Sequence, residues 1–221
     1  MSAEGPLRDR HDGFGLIETL RREADGTFLR LDRHLARLKA SAGALGFAFD
    51  GRGIEHELDR LRVREGALRA RLLLSRDGTA TVSSEPYIPL AGGSVWTLRI
   101  ARTTRLDATD TLLRHKTTRR SVYDHARAEY RKADADEVIL LNGSGEVCEG
   151  TITTVFADLG DGGPLATPLL RCGLLAGVLR AEMLESGSAR EAVLAPADLA
   201  AARALFVGNS LRGLIPARLA T

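Results

Sequence analysis

The chain has 221 residues, 44% of them hydrophobic and 27% charged, a balance that suits one or two modest buried cores and argues against disorder. Its 31 basic and 29 acidic residues leave a formal charge of +2 and form no like-signed block, so nucleic acid is not an expected partner. Cys148 and Cys172 are too few for a disulfide framework or a four-ligand zinc site, and no metal is expected; no run of 18 apolar residues and no signal-like N-terminus appears, so the reading is a cytoplasmic enzyme without membrane contact.

In chain order, Gly15 to Leu20 reads as a strand, a polar link at Asp25-Gly26 as a turn, and Thr27 to Leu31 as a second strand. A helix follows, with Asp32 as its expected N-cap and Leu35, Leu38, Ala42 and Leu45 on one face until Gly46. Residues 51 to 63 suggest another helix, 68 to 74 a strand, and Asp77-Gly78 a turn into a strand at 79 to 83. The prolines and glycines of Ser84 to Gly93 mark a linker, which gives a small N-terminal α+β domain, 1–88, and a larger C-terminal one, 89–221. In the second, strands are expected at 95 to 101, 137 to 141, 145 to 148, 151 to 157 and 204 to 207, with helices at 119 to 133, 177 to 184 and 196 to 202.

Among many arginines stand only three lysines, Lys39, Lys116 and Lys132. A Schiff base needs an amine that arginine cannot supply, so Lys116, where the chain is expected to turn ahead of a helix, is a candidate beside its reading as a surface lysine. Glu149, in front of the hydroxyl-rich Gly150 to Phe156, is either a solvated edge carboxylate or a partner for a protonated ring nitrogen. Gly177, at a helix start, can expose amides to a phosphate or be a plain helix entry. Gly208 to Gly213 offers amides and the Ser210 hydroxyl, or an ordinary turn. Arg37 lies off the leucine face of its helix, at the surface or toward an anion.

These segments in this order resemble the class IV aminotransferases, the fold type IV pyridoxal-phosphate enzymes. The resemblance runs through Gly15-Leu16-Ile17-Glu18-Thr19, His34-x-x-Arg37-Leu38, Lys116, Glu149-Gly150, Gly177-Val178-Leu179-Arg180 and Asn209-Ser210 ahead of Pro216. It implies a two-lobed α+β fold like that of D-amino acid aminotransferase, pyridoxal 5'-phosphate as cofactor and a homodimer acting on a small amino substrate. It assigns Lys116 to the cofactor's aldehyde, Glu149 to the pyridinium nitrogen, and Arg37, the amides of Val178 and Leu179, and Ser210 with the Leu211 amide to the phosphate. Thr153 occupies a position close to the cofactor, and Thr19 on the first strand can assist proton transfer.

Within the family the Phe206 to Gly213 stretch and the compact length are most similar to the 4-amino-4-deoxychorismate lyases, which release 4-aminobenzoate, a folate precursor, and pyruvate. Arg76, Arg114 and Arg212 are the candidates to pair with that substrate's two carboxylates. The alternatives are a branched-chain or D-amino acid aminotransferase and a catalytically silent relative that binds a ligand. The chain departs from the family pattern in starting later, with Ile17 near an aromatic position that faces substrate, and in having Thr154 and Ala176 where asparagine and proline are frequent.

Overall fold

The apolar alternation after Gly15 becomes strand β1 (Leu16–Arg22), which pairs antiparallel with β2 (Leu68–Leu74), itself paired with β3 (Ala80–Pro86). The structure, a computed structural model, describes residues 13–61 and 66–220. The chain divides into two units: residues up to Ile88 with Lys116–Arg119, and Pro89–His115 with the residues from Arg120 on.

In the first unit, one face of the sheet presents Leu16, Leu20, Ala70, Leu72 and Leu74 to Leu38 and Ala42 of α1 (Leu31–Leu45) and to Ile54 and Leu58 of α2 (Gly51–Asp59). The entry to α1 departs from expectation. Arg30, not Asp32, is the N-cap, with left-handed φ 58° and ψ 33° and no side-chain capping bond, while Asp32 sits in the first turn. A left-handed non-glycine costs roughly 1–2 kcal/mol and a missing cap about 1 kcal/mol. Each leucine or isoleucine buried beneath the helices contributes roughly 1.5–3 kcal/mol, so packing rather than capping fixes where α1 begins. Gly46 ends it as expected, at φ 71° with its amide on the Ala42 carbonyl. The strand expected at 27 to 31 is a single bridge, Phe28 to Arg22, because Asp25 accepts from the Thr27 amide and hydroxyl and closes the turn. The expected continuation of α2 to residue 63 runs into positions outside the described residues.

The other edge of β1 is closed by a segment from far along the chain. The Ile17 amide donates to the Lys116 carbonyl at 2.9 Å and the Thr118 amide to the Gly15 carbonyl at 2.9 Å, with Leu16 opposite Thr117.

The second unit is built on an eight-stranded mixed sheet in the order β6-β5-β4-β11-β10-β7-β8-β9. Its strands are β4 (Trp96–Leu106), β5 (Glu137–Asn142), β6 (Val147–Gly150), β7 (Thr154–Asp158), β8 (Leu165–Pro168), β9 (Ala189–Ala192), β10 (Ala204–Asn209) and β11 (Gly213–Leu219). Helices α3 (Ser121–Ala128), α4 (Val178–Glu185) and α5 (Pro196–Ala201) accompany it. The strand expected at 151 to 157 begins only at Thr154, because residues 151–153 turn. Strands β8, β9 and β11 were outside the expected set; β8 and β9 are four residues each, too short for a visible period.

A buried charge cluster ties α1 to β1. Glu18 is 2% exposed on the helix side of the strand; its Oε2 lies 2.7 Å from His34 Nδ1, and Arg37 donates from Nε to Oε1 at 2.8 Å and from its terminal nitrogen to Oε2 at 2.5 Å. Positions 34 and 37 are one helical turn apart and so reach one carboxylate. Burial pushes the Glu18 pKa up, but the Arg37 charge and the hydrogen bonds with His34 and Arg37 outweigh it and hold the group at about 2 against an ordinary 4.5. The resulting stabilisation is complete above about 4.5 and is lost as pH falls toward about 2. Glu18→Gln should therefore lower the unfolding free energy by about 3–5 kcal/mol at neutral pH. In urea melts the gap from wild type should close through that acid window, and a gap that persists at its acid end would show that the carboxylate charge is not its source.

Candidate active site

The first unit's sheet has a second face, opposite the one packed on α1 and α2. Antiparallel register puts Ile17 beside Leu73, Thr19 beside Arg71 and Arg21 beside Arg69, with Ser83 on the other side of Arg71. Thr117 is buried opposite Leu16, on the core side, so the alternation of an extended segment sends Lys116 to the side of Ile17, Thr19 and Arg71. An amine, a hydroxyl and a guanidinium thus share one face. Arg69 is paired with Glu85 at 3.1 Å, and Arg21 with Glu23 at 2.9 Å while lying over the Tyr87 ring. Arg71 was not singled out in the sequence; its signal is the alternation of Arg69-Ala70-Arg71, in which the buried Ala70 fixes the arginines on the opposite face.

In the second unit, Glu149 is 5% exposed at the end of β6 and accepts a hydrogen bond from the Tyr123 hydroxyl at 2.7 Å. Burial, then the Glu149 charge, pushes the Tyr123 pKa far above its ordinary value, so this hydroxyl stays a donor. The Arg120 guanidinium lies over the Tyr123 ring, 4.7 Å from its centroid, and donates to the Thr151 carbonyl at 2.5 Å. Tyr123 was not singled out in the sequence; packing of α3 on β4 and β5 brings its hydroxyl to Glu149. Thr153 is buried, and its hydroxyl donates to Glu137 at 2.8 Å.

The expected phosphate-binding segments are neighbours within this unit. Gly177 is the N-cap of α4 and brings no side chain to its amides; a Cβ there would stand 3.0 Å from the Thr154 hydroxyl. Gly208 admits close packing too, since a Cβ would meet the Gly213 carbonyl at 2.7 Å and the Leu179 side chain at 2.8 Å. The end of β10 and the first turn of α4 therefore lie together, with Val178, Leu179, Ser210 and Leu211 all buried. The Leu211 and Arg212 amides donate to Asn209 Oδ1 at 3.1 and 3.0 Å, which commits the Leu211 amide to shaping the turn.

Of the arginines expected to face substrate, Arg76 donates to the Leu45 and Gly46 carbonyls at 3.2 and 3.4 Å and lies over Phe47, a cap on α1. Arg114 is exposed at the end of a short 3₁₀ turn, and the Arg212 guanidinium lies 5.9 Å from the Trp96 ring centroid. Cys148 and Cys172 are buried free thiols, and burial is the first cause pushing Cys172 up to about 11, so both behave as small apolar residues. No helix among the described residues is long and apolar enough to cross a membrane, and none of their His, Cys, Asp and Glu side chains group in threes around a metal position.

Each unit carries groups of the kind pyridoxal phosphate requires: the first an amine suited to an aldehyde, the second a buried carboxylate suited to a ring nitrogen and a glycine-led helix start beside hydroxyls suited to a phosphate dianion. The family model for amino-transferase class IV matches residues 15–220, and the chain belongs to that family. It is thus an enzyme of a pyridoxal-phosphate-dependent group of lyases and aminotransferases. A crystal structure from Mesorhizobium loti, named a putative amino-acid aminotransferase, is 59% identical, covers 94% of this chain and 100% of its own, and superposes with a TM-score of 0.89. The 4-amino-4-deoxychorismate lyase of Pseudomonas aeruginosa is 30% identical over 99% of this chain and 88% of its own, at a TM-score of 0.81. A "Putative aminodeoxychorismate lyase" of Schizosaccharomyces pombe is 34% identical over 170 residues, 76% of this chain and 72% of the relative.

Tyr123→Phe should cost about 1 kcal/mol of stability, one buried hydrogen bond. It should also leave the alkaline phenolate absorbance change of the folded protein unaltered, because Tyr123 does not ionise before unfolding. A smaller native amplitude in the variant would mean that Tyr123 is open to solvent.

Proposed function

We propose that this chain is a 4-amino-4-deoxychorismate lyase, which uses pyridoxal phosphate to convert 4-amino-4-deoxychorismate to 4-aminobenzoate and pyruvate in folate precursor synthesis. The observation that carries the reading is the register, which puts Thr19 beside Arg71 and pairs Leu16 with Thr117, the neighbour of Lys116, so that the three share the face opposite α1 and α2. An amine that can take a proton, a hydroxyl that can relay it and a guanidinium that can pair with a carboxylate are what an amine-bearing carboxylate substrate requires. The choice of a lyase rests on the two lyase relatives at 30% and 34% identity.

When bound, the cofactor supplies an electron sink for the carbon next to the amine. Lys116 would hold the cofactor's aldehyde, and its free amine would take the proton from the amine-bearing carbon, with Thr19 assisting. Glu149, oriented by Tyr123, keeps the ring nitrogen protonated, and Thr153 stands close by. Ser210 and the amides of Val178 and Leu179 bind the phosphate, with Leu211 shaping the turn, whereas Arg37 serves Glu18 on the helix side of β1. Arg71 pairs with one substrate carboxylate, and Arg114 and Arg212 are the candidates for the second, whereas Arg76 serves α1. Departure of the enolpyruvyl group, protonated to pyruvate by the proton that Lys116 took, would need no second substrate, because aromatisation of the ring drives it. The family resemblance further supports a homodimer.

A branched-chain, D- or other amino-acid aminotransferase is the second reading, favoured by the 59% identity to the Mesorhizobium loti protein. It uses the same lysine and carboxylate and must also accept a keto acid.

Lys116→Ala should abolish the visible absorbance of the bound cofactor, while Lys39→Ala and Lys132→Ala retain it; the reverse pattern would move the site. Purified enzyme given 4-amino-4-deoxychorismate without keto acid should release pyruvate and 4-aminobenzoate in equal amounts. Arg71→Ala should raise the KM for that substrate roughly tenfold or more, the loss of a charged hydrogen bond, and Arg76→Ala should leave it near wild type. Amino transfer that depends on a keto acid, with no 4-aminobenzoate formed, would select the aminotransferase.

A further inference from the structure

Glu137 opens β5 with no exposed surface, and every group bonded to it is a donor. Its Oε1 accepts from the Val138 amide at 2.9 Å, the Thr151 amide at 3.0 Å and the Thr151 hydroxyl at 2.5 Å; its Oε2 accepts from the Ile152 amide at 3.1 Å and the Thr153 hydroxyl at 2.8 Å. None of these partners is a cation. Burying a carboxylate without a counter-ion is expensive, and an apolar residue would fill the same space at lower cost. What Glu137 provides is four bonds to the three residues of one turn, 151–153, which directly follows Glu149-Gly150.

The same turn explains the glycine. A Cβ on Gly150 would stand 2.4 Å from the Thr153 hydroxyl oxygen and 2.8 Å from both Cγ and Cδ of Glu137, so only a bare α-carbon lets the carboxyl group lie against the backbone. The turn is closed by the Gly150 amide on the Thr153 carbonyl at 2.8 Å and held to β5 by the Thr151 amide on the Val138 carbonyl at 3.1 Å. Glu149 is thus fixed on three sides: by its pairing with Leu140, by the Tyr123 hydroxyl on its side chain, and by a turn with no slack immediately after it.

We propose that Glu137 is a positioning residue that acts through the Gly150–Thr153 turn to set where the Glu149 carboxylate stands, and so how firmly it holds a ring nitrogen. The inference rests on the role given to Glu149 above. Glu137→Gln keeps size and shape but turns one oxygen into an NH2 group, which faces the turn's donors with another donor.

The test titrates pyridoxal phosphate into apo wild type, Glu137→Gln, Glu149→Gln and the double variant, reading the visible band and its pH titration, with amide hydrogen exchange on the apo proteins. Glu137→Gln should weaken cofactor binding about tenfold, the scale of a lost buried hydrogen-bond partner. It should also shift the band's pH titration in the same direction as Glu149→Gln. In the Glu149→Gln background the same change should cost less than about twofold, the sign that the two residues act on one thing. Wild-type affinity and titration in a folded Glu137→Gln overturn the proposal, as does an equal loss in both backgrounds. Should Glu137→Gln fail to fold, Thr153→Val removes a single donor and must give a smaller shift in the same direction; no shift overturns it. A wild type that shows no band removes the cofactor role of Glu149. Apo exchange then decides whether Glu137 clamps the turn: Thr151 and Ile152 amides exchanging about tenfold faster in Glu137→Gln support the clamp, and equal rates overturn it.

Discussion

Two backbone hydrogen bonds, from Ile17 to Lys116 and from Thr118 to Gly15, attach a distant segment to the edge of β1, and the candidate active site depends on that attachment. A lysine in an unpaired loop would carry its amine on a mobile stem with no preferred side of the sheet. Held by an isolated bridge between Leu16 and Thr117, the segment puts the buried Thr117 on the core side and its neighbour Lys116 toward the other. The backbone therefore aims the amine at the face of Thr19 and Arg71, and the Glu18 cluster acts beneath it, on the opposite face, to hold α1 to the same strand.

Two buried carboxylates illustrate two ways of keeping charge inside a protein. Glu18 has a guanidinium and an imidazole within hydrogen-bond reach, so attraction offsets its desolvation. Among the described residues Glu137 has only amides and hydroxyls within hydrogen-bond reach, whose dipoles must be oriented in advance, and orienting them is the same act as building the turn. The first arrangement fastens a helix to a sheet. The second shapes backbone next to Glu149.

Much of this was legible in the sequence. The period-two alternation at 68 to 74, the glycine that stops α1 and the glycine that opens α4 all depend on residues close in the chain, and they appear where local chemistry put them. His34 and Arg37 were legible as one piece of the family resemblance, but the carboxylate they serve was not, because Glu18 reaches them only when β1 lies under α1. Arg37 reads as a surface residue on a helical wheel for the same reason. Arg71 lies within β2 and shares a face with Lys116, whereas Arg76 lies in the turn that follows and caps a helix, a difference that only the folded backbone shows. Tyr123 and Glu137 escaped notice since a lone tyrosine or a strand-initial glutamate carries no local signal.

The edge attachment at β1 also orders events in time. A nascent chain that has reached residue 88 holds β1, β2, β3, α1 and α2, yet the Gly15 and Ile17 main-chain groups that later meet residues 116–118 are without those partners. Until the ribosome has released that stretch, the first unit presents an open strand edge, the kind of surface on which other chains add strands. The lysine segment is thus also the last piece of the first unit's sheet to be synthesised. Cutting the gene at the linker would leave a fragment lacking both its candidate reactive amine and the cover for its own edge.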